Sequence, residues 1–208
     1  MTNKIVELNS YCAILLYCLA SMCWQNLLIC KAAVEKNTSV THNTRPSYRK
    51  ITIIGGQGSG KTTLAARLKE ILDIPVYGLD SFFRQDETRT KKNKILSALV
   101  NRNVWIIEGN YPFTYKRRIA KAELIVYIKR SQHQRMWRLF MRMIQDDKKS
   151  KLLWEEEFWK KQLEWEEKQH AIICELLATL PSSKQYVILQ SDQDVEDFLT
   201  TIQTSIDL

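Results

Sequence analysis

The chain has 208 residues, 45% of them hydrophobic and 26% charged, with a formal net charge of +8. That balance excludes a disordered or fibrous chain and suffices for one sizeable domain with a buried core. The basic excess favours anionic partners such as nucleotides, nucleic acid or anionic lipid, without choosing among them.

Residues 8–30 carry no charge. As a helix they would span about 34 Å, enough to cross a bilayer. Gln25 and Asn26 weigh against a span, and the flanks favour one: Lys31, Lys36, Arg45, Arg49 and Lys50 follow, against Lys4 before. A span so flanked leaves the C-terminal part in the cytosol. Three readings stay open for residues 1–48: a membrane anchor, a dispensable extension before a cytoplasmic domain, or a start codon called too early. Four of the five cysteines (Cys12, Cys18, Cys23 and Cys30) fall in this apolar stretch, and Cys174 stands alone. No C-x-x-C pair occurs, so no zinc site or disulfide framework is implied, and a reduced, intracellular protein is expected. Residues 37–48 are polar with no apolar period and read as a linker to the domain at 49–208.

From Lys50 onward, short runs rich in Val, Ile and Tyr alternate with longer amphipathic stretches. Strands are predicted at 51–55, 75–79, 104–108, 124–129 and 186–190. Helices are predicted at about 61–72, 91–102, 114–121, 131–146, 152–179 and 193–205. Strand–helix alternation implies an α/β fold with a parallel sheet covered on both faces. Ligands then bind beyond the carboxyl ends of the strands.

The first strand runs into Gly55-Gly56-Gln57-Gly58-Ser59-Gly60-Lys61-Thr62-Thr63. G-x-x-x-x-G-K-T between a strand and an amphipathic helix is a P-loop. Its glycines let the backbone turn so that the N–H groups face one point, and the following helix adds its positive end. Lys61 then reaches the β- and γ-phosphates of a nucleotide, and the Thr62 hydroxyl is a ligand for Mg²⁺.

Other strand ends carry charge as well. Asp80 follows the second strand in "VYGLDSFFR". It can accept a proton from an acceptor hydroxyl or help order Mg²⁺, or merely cap a short helix. Glu108 ends the third strand, "VWIIEGNY", where an acidic residue partners the magnesium of a P-loop. A lone carboxylate at the tip of a buried strand needs a positive group facing it. Arg135, Arg138 and Arg142 are spaced by three and four on one helix and share a face, which suits a transferring phosphoryl group or a solvated basic surface. His133 reads as a surface residue. Trp154, Phe158 and Trp165 recur at helical spacing in a long helix, as a core stripe or as part of a lid; His170 and Cys174 read as structural. Ser191 or Asp192 can cap the last helix, with Asp194 completing a capping box with Ser191.

The P-loop, "LDSFF", "IIEGNY" and the W-R-x-x-x-R of Trp137–Arg142, in this order, resemble the adenylate-kinase-like P-loop kinases over about residues 49–206. The Gly109–Tyr111 triplet and the Trp-Arg pair are most similar to the group called DNA topology modulation proteins. "DSFFR" at 80–84 is also similar to the acceptor-side motif of uridine-kinase-like enzymes. The resemblance implies a P-loop NTPase fold, with a five-stranded parallel sheet in order 2-3-1-4-5 and a helical lid region. It also implies ATP on the P-loop, Asp80 near the acceptor, and Arg138 and Arg142 on the lid side. Nucleoside monophosphate kinases hold the acceptor's phosphate with a Gly-x-Pro-Arg; here Phe113 stands in place of that arginine, and Arg117 or Arg118 could substitute.

The expectation is an ATP- and Mg²⁺-dependent phosphotransferase acting on a small-molecule acceptor such as a nucleotide or nucleoside. Lys61, Asp80, Arg138, Arg142 and Arg135 are its catalytic candidates, residues 55–63 the nucleotide loop, and Thr62 and Glu108 the metal ligands. The alternative is an NTP-binding regulatory ATPase acting on nucleic acid or a protein partner. It draws on residues 129–151, where eight Lys/Arg stand against two Asp, although no nucleic-acid-reading motif is present.

Overall fold

The computed structural model describes residues 48–83, 87–145 and 155–207. The apolar segment 8–30, Arg84 and Trp154 lie outside them. Among the described residues no helix is long and apolar enough to cross a membrane.

The strands are β1 (Lys50–Gly55), β2 (Val76–Gly78), β3 (Trp105–Glu108), β4 (Leu124–Ile128) and β5 (Gln185–Leu189). They form one parallel sheet in the order β2-β3-β1-β4-β5. The helices are α1 (Lys61–Leu72), α2 (Leu79–Phe82), α3 (Arg89–Val100), α4 (Pro112–Lys121), α5 (Gln132–Gln145), α6 (Glu156–Ala178) and α7 (Asp192–Asp207).

Both faces of the sheet are covered, and the strands show it residue by residue. Ile51 and Ile53 of β1, Ile106 of β3, and Leu124, Val126 and Ile128 of β4 pack with Leu64 and Leu68 of α1 and with Leu199 and Ile202 of α7. The alternate positions Ile54, Trp105, Ile107, Ile125 and Tyr127 pack on the other face with Leu96 and Leu99 of α3, Tyr115 and Ile119 of α4, and Ile173 and Leu177 of α6. Side chains on a strand alternate between faces, so continuous apolar runs are what a sheet buried on both sides requires.

The register decides where function is built. Glu108 stands opposite both Ile53 of β1 and Gly78 of β2, while Gly55 stands opposite Ile128 of β4, itself opposite Leu189 of β5. All five strands therefore end at one edge. The loop after Gly55, Asp80, Glu108, Arg130 and Asp192 emerge from that edge within a few residues of their strands.

The elements follow the sequence reading with shifted ends. β2 is only three residues long, because the chain turns at once into α2, which contains Asp80. α3 begins earlier than predicted, at Arg89, where the Thr88 hydroxyl accepts from the Lys91 amide at 3.3 Å. α4 also begins earlier, with Pro112 at a first-turn position whose missing N–H costs nothing.

Ile53 is fully buried in the central strand. Ile53→Ala should destabilise the fold by about 2–5 kcal/mol through lost burial and the cavity left behind, measured by urea denaturation.

Candidate functional site

The loop between β1 and α1 has the backbone its glycines predict. Gly58 and Gly60 have φ of 76° and 98°, which side-chain-bearing residues rarely adopt. Space is also short: a Cβ at Gly58 would lie 2.5 Å from the Arg135 carbonyl oxygen. Gly60 is the N-cap of α1, with no side chain capping the helix and no acidic residue in its first turn. The first amides of a helix lack intrahelical partners and carry partial positive charge, so this end of α1 suits an anion.

Lys61 is buried, and its Nζ donates to the Gly56 carbonyl at 2.8 Å, within its own loop. Burial pulls its pKa down to about 8, against the opposing pull of Glu108 and Asp80; Arg135 and Arg118 add to the lowering. The ammonium is thus held ready but incompletely compensated.

Glu108 is buried at the tip of β3, and burial pushes its carboxyl above the usual range. Lys61 opposes that shift most, followed by a hydrogen bond from Thr62 and the charge of Arg118, while Asp80 adds to it. The positive groups that a buried carboxylate calls for are therefore Lys61 and Arg118. Thr62 Oγ1 donates to Glu108 Oε1 at 3.3 Å. A hydroxyl and a carboxylate oxygen this close, beside a phosphate-type loop, form a donor set that fits Mg²⁺, a hard cation with oxygen ligands.

Asp80 is exposed in the first turn of α2, and its carboxylate lies near the Tyr111 hydroxyl. Burial, and then the neighbouring Asp80 carboxylate, raise the Tyr111 pKa, so the phenol stays protonated. Tyr111 also belongs to an aromatic cluster. Its ring meets Phe83 edge-on at 4.9 Å, Phe83 and Phe113 stack at 5.8 Å, and the Arg89 guanidinium lies 3.7 Å from the Phe113 ring centroid. The position that an acceptor-phosphate arginine would fill thus belongs to an aromatic wall.

Neither neighbouring arginine replaces it openly. Arg117 is exposed and donates to the Asn93 carbonyl and the Ser97 hydroxyl of α3. Arg118 is fully buried and donates from Nη1 to the Gly109 carbonyl at 3.2 Å, while its Nε and Nη2 meet no acceptor among the described residues. Burial lowers its pKa to about 10, which still leaves it a cation at neutral pH.

The three arginines of α5 diverge in burial although they share a face. Arg135 is 1% exposed and lies beneath the loop: a Cβ at Gly56 would stand 2.4 Å from its Nη1. Its Nη2 donates to the Gln162 carbonyl of α6, and its guanidinium lies 5.1 Å from the Trp165 ring centroid. Arg138 is partly exposed and bound to Asp192. Arg142 is exposed, one turn further on. Spacing gives direction on a helix and not depth, because depth depends on what packs against it.

Two further features were missed in the sequence, and Arg118, named there as a possible substitute arginine, takes a different place. Asn110 Oδ1 accepts from both Tyr115 Oη and Trp165 Nε1, each at 2.7 Å, which ties α6 to the end of β3. Arg130, 2% exposed, reaches Asp192 across the sheet edge. Arg118 fills the space behind Glu108. The Gly109–Tyr111 triplet marked Asn110, but no local signal marks a partner 55 residues away. His170 accepts from or donates to the Tyr127 hydroxyl at 3.0 Å and lies 3.6 Å from the Cys174 sulfur, at the face of the sheet.

The chain matches no family model and no curated protein sequence. Solved structures do match it. A shikimate kinase from Acinetobacter baumannii, in complex with shikimate, is similar at 19% identity and a TM-score of 0.53, covering 76% of this chain and 92% of its own. A shikimate kinase from Bacteroides thetaiotaomicron is similar at 18% identity and a TM-score of 0.51, covering 77% of this chain and 99% of its own. A deoxyadenosine kinase from M. mycoides with bound dATP is a looser likeness, at 16% identity and a TM-score of 0.46 over 76% of this chain. With the sheet order, the two shikimate kinases place the described residues in the P-loop kinase fold.

Two outcomes follow from this geometry. If Lys61 holds phosphate, binding follows its ammonium, which is charged well below about pH 8 and lost above it. Mg-ATP affinity, measured by calorimetry, should be flat below that pH and fall about tenfold per unit above it, with no such break at that pH in Lys61→Ala. Gly58→Ala should cost about 1–3 kcal/mol of stability and weaken Mg-ATP binding, since alanine disfavours its φ and crowds the Arg135 carbonyl.

Proposed function

We propose that this protein is an ATP- and Mg²⁺-dependent phosphotransferase that acts on a small-molecule acceptor carrying a hydroxyl, with nucleotides and nucleosides the first candidates. The observation that carries this reading is the meeting of Lys61, Glu108 and Asp80 at one sheet edge, where both carboxylates favour the charge on the buried Lys61. The GNY triplet at 109–111 and the W-R-x-x-x-R at 137–142, which resemble adenylate-kinase-like P-loop kinases, support the same reading.

Each residue then has a role. The loop amides of residues 55–63 and the open end of α1 bind the triphosphate, and Lys61 exchanges the Gly56 carbonyl for phosphate oxygens. Thr62 and Glu108 would hold Mg²⁺, which when bound neutralises phosphate charge. Asp80, beside the Tyr111 hydroxyl, accepts the proton of the acceptor hydroxyl or aligns it for attack. Arg138 offsets charge on the group being transferred, with Arg142 joining from the lid side. Arg135 acts from beneath the loop and supports its shape. Tyr111 and Phe113 offer an apolar ring surface beside Asp80, which favours an acceptor with a planar or apolar face.

A regulatory ATPase acting on nucleic acid or a protein partner is the second reading, favoured by the basic stretch at 129–151. ADP release by the full-length chain with Mg-ATP separates the two, across nucleoside monophosphates, nucleosides and small hydroxy compounds. The kinase reading expects turnover with one acceptor class only, falling about a hundredfold or more in Lys61→Ala and in Asp80→Asn. ATP binding without acceptor-dependent turnover, joined to DNA affinity that falls steeply with salt, would favour the second reading.

A further inference from the structure

Asp192 opens α7 just after β5, and two arginines share its carboxylate. Arg130, past the end of β4, donates from Nη2 to Oδ1 at 2.7 Å and from Nη1 to the Gln190 carbonyl at 3.1 Å. Arg138, on α5, donates from Nη2 to Oδ1 and Oδ2, each at 2.9 Å. Arg130 is 2% exposed and held at two points, so it is the fixed member of the trio. The Arg138 side chain is 34% exposed and is the adjustable one.

Asp192 is not spent on its own helix. The Ser191 hydroxyl accepts from the Asp194 amide at 3.0 Å, and the Asp194 carboxylate accepts from the Ser191 amide at 3.1 Å. That reciprocal box caps α7 without Asp192. Two cations around one carboxylate also leave a net positive charge, and that charge borders the loop. Arg138 binds Asp192 through Nη2 while its Nη1 faces Gly60: a Cβ there would stand 3.6 Å from Nη1. Gly60 is the uncapped N-terminus of α1.

We propose that Asp192 is a nucleotide-positioning residue: anchored by Arg130, it holds the Arg138 guanidinium over the phosphate-binding loop, so that a nucleoside triphosphate meets a cation already in place. An arginine side chain loses much rotamer freedom when fixed, and fixing it before the ligand arrives removes that cost from binding. The inference rests on the loop being a triphosphate site.

The test is calorimetric titration of Mg-ATP into the full-length chain, comparing wild type with Lys61→Ala, Asp192→Asn, Asp192→Glu, Arg138→Gln and the Asp192→Asn/Arg138→Gln double variant, with melting temperatures alongside. Wild-type binding that Lys61→Ala abolishes supports the triphosphate reading; absence of wild-type binding overturns that reading and this inference together. Given wild-type binding, Asp192→Asn and Arg138→Gln should each weaken it about tenfold, equivalent to one charge-assisted contact. Asp192→Glu should recover part of the loss, and the double variant should bind no worse than Arg138→Gln alone. Wild-type affinity in Asp192→Asn or in Arg138→Gln overturns the inference alone. So does a double variant whose loss is the product of the two single losses. If Asp192→Asn does not fold, Arg138→Gln and Asp192→Glu decide: Arg138→Gln at wild-type affinity, or Asp192→Glu weaker than Arg138→Gln, overturns it.

Discussion

The attraction between Lys61 and Glu108 is the constraint on which the site depends. Both groups are buried at the carboxyl edge of the sheet, one at the start of α1 and the other at the tip of β3. Burial disfavours the charge on each, and each is the other's largest compensation. Mutual attraction rarely repays the full desolvation of two buried ions. The fold therefore holds an under-satisfied pair beside the glycine loop and the uncapped first amides of α1. Oxygens bearing negative charge would satisfy the lysine and the amides, and a divalent cation would satisfy the carboxylate and the Thr62 hydroxyl. Under the proposed reading, the same arrangement that costs stability in the free protein would favour a phosphate–metal ligand.

Around that pair the arginines form a graded series. Arg118 lies fully buried behind Glu108 and supplies field rather than contact. Arg135 lies beneath the loop, against Gly56 and Gly58, and reaches the α6 backbone and the Trp165 ring. Arg138 lies at the loop's outer side, turned by Asp192. Asn110 joins Trp165 to the end of β3, so α6 meets both Arg135 beneath the loop and the tip of β3. Asp80, Tyr111 and Phe113 lie at the other side of the edge, where Phe113 belongs to an aromatic cluster with Phe83 and Tyr111; under the proposed reading this is the acceptor side.

Much of this was legible in the sequence because it is local. The P-loop carries its geometry in nine consecutive residues, and Glu108 and Asp80 announce themselves as charges at the ends of apolar runs. The Ser191–Asp194 capping box spans four residues and was read directly. The parallel sheet followed from strand–helix alternation, and its order followed from a family resemblance rather than from the residues. What escaped was tertiary. Helical spacing put Arg135, Arg138 and Arg142 on one face, yet packing against the loop and α6 buries the first and leaves the third exposed. Asp192 read as a cap because its partners lie 54 and 62 residues away. Phe113 read as an absent arginine, and only the fold brings it together with Phe83 and Arg89.

A crystal structure of the full-length chain with Mg²⁺ and a non-hydrolysable ATP analogue tests the central claim most directly. The account predicts the terminal phosphates on the loop amides with Lys61 Nζ turned from the Gly56 carbonyl onto phosphate oxygen, and Mg²⁺ between Thr62 and Glu108. An analogue bound elsewhere, or a Lys61 still on Gly56 with no metal at Thr62 and Glu108, would contradict it.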